Sequence, residues 1–362
     1  MLTPYILIDE AKVRSNIEKM QKVADNKELQ LRPHIKTHKM PYLAKLQQEY
    51  GASGITVAKL SEAQVMLANG IKNIFLAYPI VTKEKAELIK DINEQADTFI
   101  VGVDSLIGAK TLNAGMTGAD KKLKVRIEID SGLNRTGVTK DKAVSLAKEI
   151  VQLENLELEG IFTFKGAVYK GESTLDLEKS GEEEGSLMVG LKRELAENGI
   201  DIASVSVGSS PTAKTAANVQ GVTEIRPGTY IFNDAMQVKF GLCDIDDCAA
   251  RVFATVVGKY DDHLVIDGGS KTFATDVQPG HAPLNLKGFG IVVGHSNLTF
   301  ARMNEEHGVL EFNGDCDLEI GDVVEIIPNH ICSTVNLHND VYLKTLDGEI
   351  KKEKVAARGH LY

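Results

Sequence analysis

Apolar and polar positions along this chain follow two different rhythms. Over residues 10–26, "EAKVRSNIEKMQKVADN", apolar positions recur at intervals of three and four, which predicts an amphipathic helix. Beyond it, short apolar runs bounded by polar segments predict eight strands, at residues 29–36, 54–59, 73–79, 98–104, 123–130, 156–164, 202–209 and 223–231. Helical periodicity fills most gaps, as in "TKEKAELIKDINEQ" and "TKDKAVSLAKEIVQLE", while the gap between 209 and 223 has room only for a short helix. An open doubly wound sheet usually has fewer strands. Eight strands alternating with helices match a closed (β/α)8 TIM barrel, which typically takes about 200–250 residues.

From about residue 238 the texture changes. "RVFATVVGKYDDHLVIDGGSKT" holds two β-rich runs around a polar turn, and "DLEIGDVVEIIPNHICSTVNL" and "VYLKTLDGEIKKEKVAARG" continue the pattern. This predicts a C-terminal antiparallel β domain built from hairpins. The expected division is a barrel over 8–237 and a β domain over 238–362, which the strand-like residues 1–7 join. The acidic "GEEEG" at 181–185 reads as a solvated loop or a helix start.

Composition narrows the class. With 43% hydrophobic and 25% charged residues, the chain reads as an ordinary soluble globular protein. A formal net charge of −10 argues against a nucleic-acid partner. No apolar run approaches a membrane span, and "MLTPYILIDEAK" lacks the basic-then-apolar layout of a signal peptide. Four cysteines, Cys243, Cys248, Cys316 and Cys332, are too few and too irregular for a disulfide framework, so a reducing cytoplasm is expected.

Against that acidic background, "LRPHIKTHKM" stands out by placing Arg32, His34, Lys36, His38 and Lys39 in ten residues. Active sites of (β/α)8 barrels lie at the C-terminal ends of the strands. Lys36 ends the first expected strand, "DSGLNRTG" with Arg135 follows the fifth, and "TFKGAVYKG" with Lys165, Tyr169 and Lys170 follows the sixth. The seventh ends in "VGSSPT" and the eighth carries "RPGTY". Loops after strands seven and eight are the usual phosphate site of such barrels. A lysine buried among cations gives up its proton more readily and can then join an aldehyde. A phosphate-bearing aldehyde cofactor is pyridoxal 5′-phosphate. The same basic cluster could instead pair with an acidic loop or hold a simple anion.

Taken together, "RPHIKTHK", "DSGLNRTG", "GSSPT", "RPGTYIFND", "EEHG" and "NHICSTVNLH" resemble the D-threonine aldolase and D-serine dehydratase family of alanine-racemase-like, fold-type III pyridoxal phosphate enzymes. The resemblance runs from residue 4 to the C-terminus. It implies that Lys36 is the Schiff-base lysine and the general base, and that Arg135 faces the pyridine nitrogen. It implies further that Ser209, Ser210, Gly228 and Thr229 hold the phosphate, and that Tyr169 is an active-site tyrosine of the dehydratase branch. A divalent metal, expected to be zinc, would sit on His330 and Cys332. Two residues apart on a strand-like run, these would point to one face. His307, Asn336 and His338 could support them, and His38 could tune Lys36.

The activity so implied is metal-assisted elimination from a D-3-hydroxy amino acid, with D-serine giving pyruvate and ammonia. The rival within the family is retro-aldol cleavage of D-threonine to glycine and acetaldehyde. Aldolases of the family carry a histidine after strand six and an aspartate as second metal ligand, where this chain has Lys170 and Cys332. An amino-acid racemase and a non-catalytic pyridoxal phosphate-binding protein are further alternatives. The family also implies a homodimer and a small D-amino acid as the substrate.

Overall fold

A computed structural model describes residues 1–362. Two compact units are present. One comprises residues 19–36, 41–228 and 359–362, and the other residues 1–18, 37–40 and 229–358.

The first unit is the TIM barrel. Its strands are Gln30–Leu31, Ile55–Val57, Asn73–Leu76, Thr98–Val103, Leu123–Glu128, Leu156–Phe162, Ser204–Val207 and Glu224–Ile225. From the second strand on, each pairs in parallel with the next, and the last pairs with the first. The first and second strands meet where Ser53 N donates to Leu31 O (2.9 Å) and Thr56 N to Pro33 O (2.8 Å). Strands buried on both faces read as continuous apolar runs, and Phe99–Val103 is buried at every position.

All eight expected strands exist, but most stop early. The first covers only two residues because Pro33 has no N–H to give to a ladder. Ile35–Thr37 then forms a 3-10 turn, so Lys36 stands in that turn and not on a strand. Pro227 acts in the same way on the eighth strand, and Thr229–Ile231 is a second 3-10 turn. The short helix after strand seven is Ala213–Ala216.

The acidic run at 181–185 corrects the sequence reading. It lies inside the long helix Leu177–Glu197, with Gly181, Glu184 and Gly185 on its buried side. The glycines allow the close approach, since a Cβ on Gly181 would meet Thr215 Oγ1 at 1.9 Å.

The barrel interior holds a buried ionic network. Glu224 accepts from Arg126 NH1 (2.5 Å), Arg32 Nε (2.7 Å) and Ser206 Oγ (2.6 Å). Arg126 also bonds Glu159, and Arg32 bonds Asn73 Oδ1 (2.7 Å). Arg226 donates Nε to Ser206 Oγ (2.7 Å) and lies over the rings of Phe75 and Phe162. Burial would raise the Glu224 carboxyl, but the two arginines hold it well below the usual range. Burial brings Arg226 down to about 10.

The second unit is a nine-stranded sheet, antiparallel except where Tyr5–Asp9 runs parallel to Asp340–Lys344. Its longest strand, Ala250–Lys259, alternates buried and half-exposed positions over its first seven residues. This period of two is what the sequence pattern predicted. Tyr5–Asp9 pairs with this strand. The core includes Ile6, Ile8, Val252, Phe273, Phe300 and Ile326.

Removing one partner of a buried ion pair leaves charge uncompensated, at about 3–5 kcal/mol. Glu224→Ala should therefore destabilise the protein by about that much in urea unfolding followed by circular dichroism. A loss under about 1 kcal/mol would show that the arginines find other partners at little cost.

Candidate active site

In the barrel unit, Lys36 and Arg135 come together on one aromatic ring. Lys36 Nζ lies 5.1 Å and Arg135 Cζ 5.0 Å from the centroid of Phe164. The backbone N–H of Lys36 donates to His34 Nδ1 (3.3 Å). Arg135 is carried by a tightly folded loop. Asp130 Oδ1 accepts from the N–H groups of Gly132 (3.0 Å) and Asn134 (3.1 Å). Thr136 Oγ1 donates to the buried Glu128 (2.9 Å). Burial raises the Glu128 carboxyl, with Thr136 and Arg135 pulling against it. Gly137 closes the loop at φ +102°, where a Cβ would press on Asp130 N at 2.6 Å.

Lys165 is buried and pairs with Glu183. Tyr169 lies half-buried in a small hairpin of Val168–Tyr169 and Glu172–Ser173, with Lys170 Nζ 5.3 Å from its ring centroid.

After strand seven the chain turns at Gly208, whose φ of +81° favours glycine. Ser209 and Ser210 follow, both buried. Glu184 supports this turn from beneath. Its carboxylate accepts from Gly208 N (3.0 Å) and Thr212 Oγ1 (2.9 Å). Thr212 Oγ1 in turn accepts from Ser209 N (3.1 Å). Arg226 N bonds Val207 O (3.1 Å) and His34 N bonds Pro227 O (3.0 Å), which fixes the approach to Gly228. A glycine turn, hydroxyls and backbone donors make a donor set suited to a phosphate. With Lys36 and Arg135 in the same unit, these residues fit pyridoxal phosphate.

In the β unit, His330 and Cys332 are not on a strand. The strand Val323–Pro328 ends at its proline, and Ile331–Val335 is a short helix with His330 at its N-cap. The buried Asp234 fixes this start, since its Oδ2 accepts from Ile331 N (3.1 Å) and its Oδ1 from Gln237 N (3.1 Å). The two side chains still lie close enough for each to shift the titration of the other.

Cys332 Sγ also contacts the hydroxyls of Thr37 (3.1 Å) and Thr229 (3.3 Å). Burial would raise the Cys332 thiol, but charged His330 brings it below its ordinary value. Burial would lower His330, but the thiolate and Asp276 hold it well above the usual imidazole range. Asp276 Oδ2 contacts His330 Nδ1 at 2.5 Å. Thiolate is the form that binds metal, and imidazole plus thiolate suits a divalent ion such as zinc. No group of three or more His, Cys, Asp or Glu side chains is placed to hold a metal. By donor type, His330 and Cys332 fit a metal held by two protein ligands.

Among the supporting residues expected from sequence, His38 Nδ1 accepts from Met40 N (3.1 Å) and His338 Nε2 bonds Thr272 O (3.1 Å). His307 occupies the turn between the strands Leu298–Met303 and Gly308–Phe312. Sequence reasoning missed Phe164, Glu184, Asp234 and Asp276. Asp234 ends the quoted "RPGTYIFND", Phe164 lies in "TFKGAVYKG" and Glu184 in "GEEEG", so their segments were in view, whereas Asp276 lies in none.

A parallel barrel bearing a lysine and a phosphate-type turn, with a separate β unit, defines an alanine-racemase-like enzyme. The model of the alanine racemase N-terminal domain matches residues 8–235, and that of a serine dehydratase domain matches 249–344. D-threo-3-hydroxyaspartate dehydratase of Delftia sp. is 31% identical, over 92% of this chain and 91% of that protein. Its solved structure superposes with a TM-score of 0.90 at 29% identity, covering 98% of this chain and 97% of the other. D-serine dehydratase of Dictyostelium discoideum is 28% identical, over 96% of this chain and 94% of that one. D-threonine aldolase of Arthrobacter sp. is also 28% identical, over 99% and 93%. The chain belongs to the D-threonine aldolase and D-serine dehydratase family of fold-type III pyridoxal phosphate enzymes, and is a lyase of that family. No helix is long and apolar enough to cross a membrane.

Burial holds the Glu184 carboxyl above its ordinary range, against the pull of Gly208 and Thr212. A folded value above the unfolded one means that stability is lost as pH rises through the folded value. The loss begins above the ordinary glutamate value of about 4.3. Glu184→Gln keeps an acceptor for Gly208 and cannot ionise. The wild type should therefore lose stability relative to this variant as pH rises above about 4. Urea unfolding across that range tests this, and curves that stay parallel would refute it.

Proposed function

We propose that the protein eliminates water from a D-3-hydroxy amino acid, with D-serine as substrate and pyruvate and ammonia as products. The observation that carries this reading is the His330–Cys332 pair, with Asp276 on the imidazole and the Thr37 and Thr229 hydroxyls on the thiol, within a lyase family. A cysteine-to-alanine mutant of the hydroxyaspartate dehydratase is described as being in the metal-free form, which supports a cysteine ligand.

When bound, pyridoxal phosphate would supply a sink for the electron pair at Cα, and zinc a Lewis acid for the β-hydroxyl. Lys36 would hold the cofactor through Nζ and, once released by the substrate amine, take the proton from Cα. Arg135 would orient the cofactor ring. Ser209, Ser210, Gly228 and Thr229 would hold the phosphate, and Tyr169 would line the substrate side. Thr37 and Thr229 would support Cys332 as a ligand, since both hydroxyls bond its thiol.

The reading includes a homodimer, as the family resemblance implies. It also includes a reducing cytoplasm, which four free thiols fit. We assign the barrel to residues 8–237 and the β domain to 238–362 with 1–7. The rival is retro-aldol cleavage, since a D-threonine aldolase is similar over nearly the whole chain. Cys332 favours elimination. D-threo-3-hydroxyaspartate belongs in any substrate panel because a dehydratase for it is similar over nearly the same span.

Borohydride reduction of the cofactor-loaded protein should fix the cofactor on Lys36 in peptide mapping; a label on Lys39 or Lys165 would defeat that assignment. With D-serine, pyruvate should form and a chelator should abolish it until zinc is restored. Glycine and acetaldehyde from D-threonine, without pyruvate from D-serine, would establish the rival. Loss of a direct ligand should exceed the 10–100-fold cost of outer-shell changes, so Cys332→Ala should lower turnover by about 100-fold or more with the fold intact. Full activity after complete metal removal would exclude a role for metal in the chemistry.

A further inference from the structure

One carboxylate in the β unit belongs to neither the cofactor set nor the ligand pair, yet it is built onto the latter. Asp276 lies outside any strand or helix, and its segment is fastened to both sides of the helix Ile331–Val335. Ala274 N donates to Thr334 Oγ1 (3.2 Å), and Asn329 Nδ2 donates to Val277 O (3.2 Å). Between these two ties, Asp276 Oδ2 meets His330 Nδ1 at 2.5 Å. The same oxygen accepts from Ser333 Oγ at 3.0 Å, so Ser333 restrains the carboxylate from its other side.

An imidazole has two nitrogens with different tasks. A carboxylate on one fixes its proton there, which leaves the other nitrogen as the lone-pair donor and makes it more basic. In this structure Nδ1 is the nitrogen so engaged, leaving Nε2 for a ligand. Asp276 is itself about half exposed (47%), while His330 is 23% exposed. A free surface ion pair of that exposure would be worth little. Four hydrogen bonds holding one loop to one helix are more than such a pair requires, and they aim one carboxylate at one imidazole nitrogen.

We propose that Asp276 is a positioning residue for the metal: it sets the tautomer and orientation of His330 so that Nε2 binds a divalent cation, with Ser333 holding Asp276 in place. This rests on the reading of His330 and Cys332 as ligands. It is tested on the cofactor-loaded protein by zinc affinity, measured against a chromophoric chelator, and by the absorption spectrum of the cobalt(II) form.

Asp276→Ala should weaken zinc binding by about 10–100-fold and alter the cobalt bands, while the cofactor absorbance and urea midpoint stay close to those of the wild type. Asp276→Asn keeps an acceptor for Nδ1–H without the charge, and should recover part of the affinity. It also serves as the test should the alanine variant fold poorly. Zinc affinity and cobalt spectra equal to wild type in both variants would overturn the proposal. If the unmodified protein binds neither ion, the ligand assignment itself fails, a result distinct from unchanged affinity in the variants.

Discussion

The barrel is organised around one buried carboxylate. Glu224 sits on a last strand of only two residues, too short to be held by its ladder alone. Its side chain reaches Arg126 on the fifth strand, Ser206 on the seventh and Arg32 just beyond the first. Those contacts span the seam where the first and last strands pair. Desolvating so many charges is costly, and the cost is offset only if every member is satisfied. Here the members bond one another, and Arg226 has Ser206 and the rings of Phe75 and Phe162. The network therefore fixes the exit of strand eight, from which Gly228 hangs.

This explains part of the basic cluster near residue 34 in a way that sequence alone could not. Arg32 is structural and faces Glu224, whereas Lys36 is four residues on and faces Phe164. The two residues share a segment but not a task. A barrel interior filled by arginines and glutamates leaves no apolar signature, so the pattern that located the strands said nothing of what fills the space between them. Arg126 and Glu224 each read as an ordinary charged residue within a strand-like run.

The fold was legible because period and count are robust signals. The barrel's eight strands and the switch to alternation after 238 both followed from hydrophobic spacing. What spacing missed was where strands stop. Pro33, Pro227 and Pro328 each end a ladder, and each is followed within a few residues by a turn or short helix carrying a candidate side chain. Lys36, Thr229 and Cys332 thus stand just past strands, on backbone that hairpin or ladder periodicity does not describe. Their types and motifs were readable; their local conformation was not. Glu184 and Asp276 were illegible for another reason. They act on neighbours that are distant in sequence, and each looks like a solvent-facing acid.

The same distinction separates groups that perform chemistry from groups that prepare it. Lys36, His330 and Cys332 belong to quoted motifs because reactive side chains must be of particular types. Their supports need only an oxygen at the right place. Glu184 and Asp276 are both carboxylates that hold a neighbouring donor, and a different fold could have used a backbone carbonyl for either task. A carboxylate adds charge to that geometry, however, and charge acts where burial makes it count. Near the Gly208 turn, burial keeps Glu184 from ionising readily, so its value there is as an acceptor. Beside His330, Asp276 is held below the ordinary range despite its partial burial, chiefly by its hydrogen bond to the imidazole. Two acids of similar chemistry are therefore driven in opposite directions by what they touch. The turn uses its carboxyl as an acceptor for backbone and hydroxyl donors, and the imidazole uses its carboxylate to hold Nδ1.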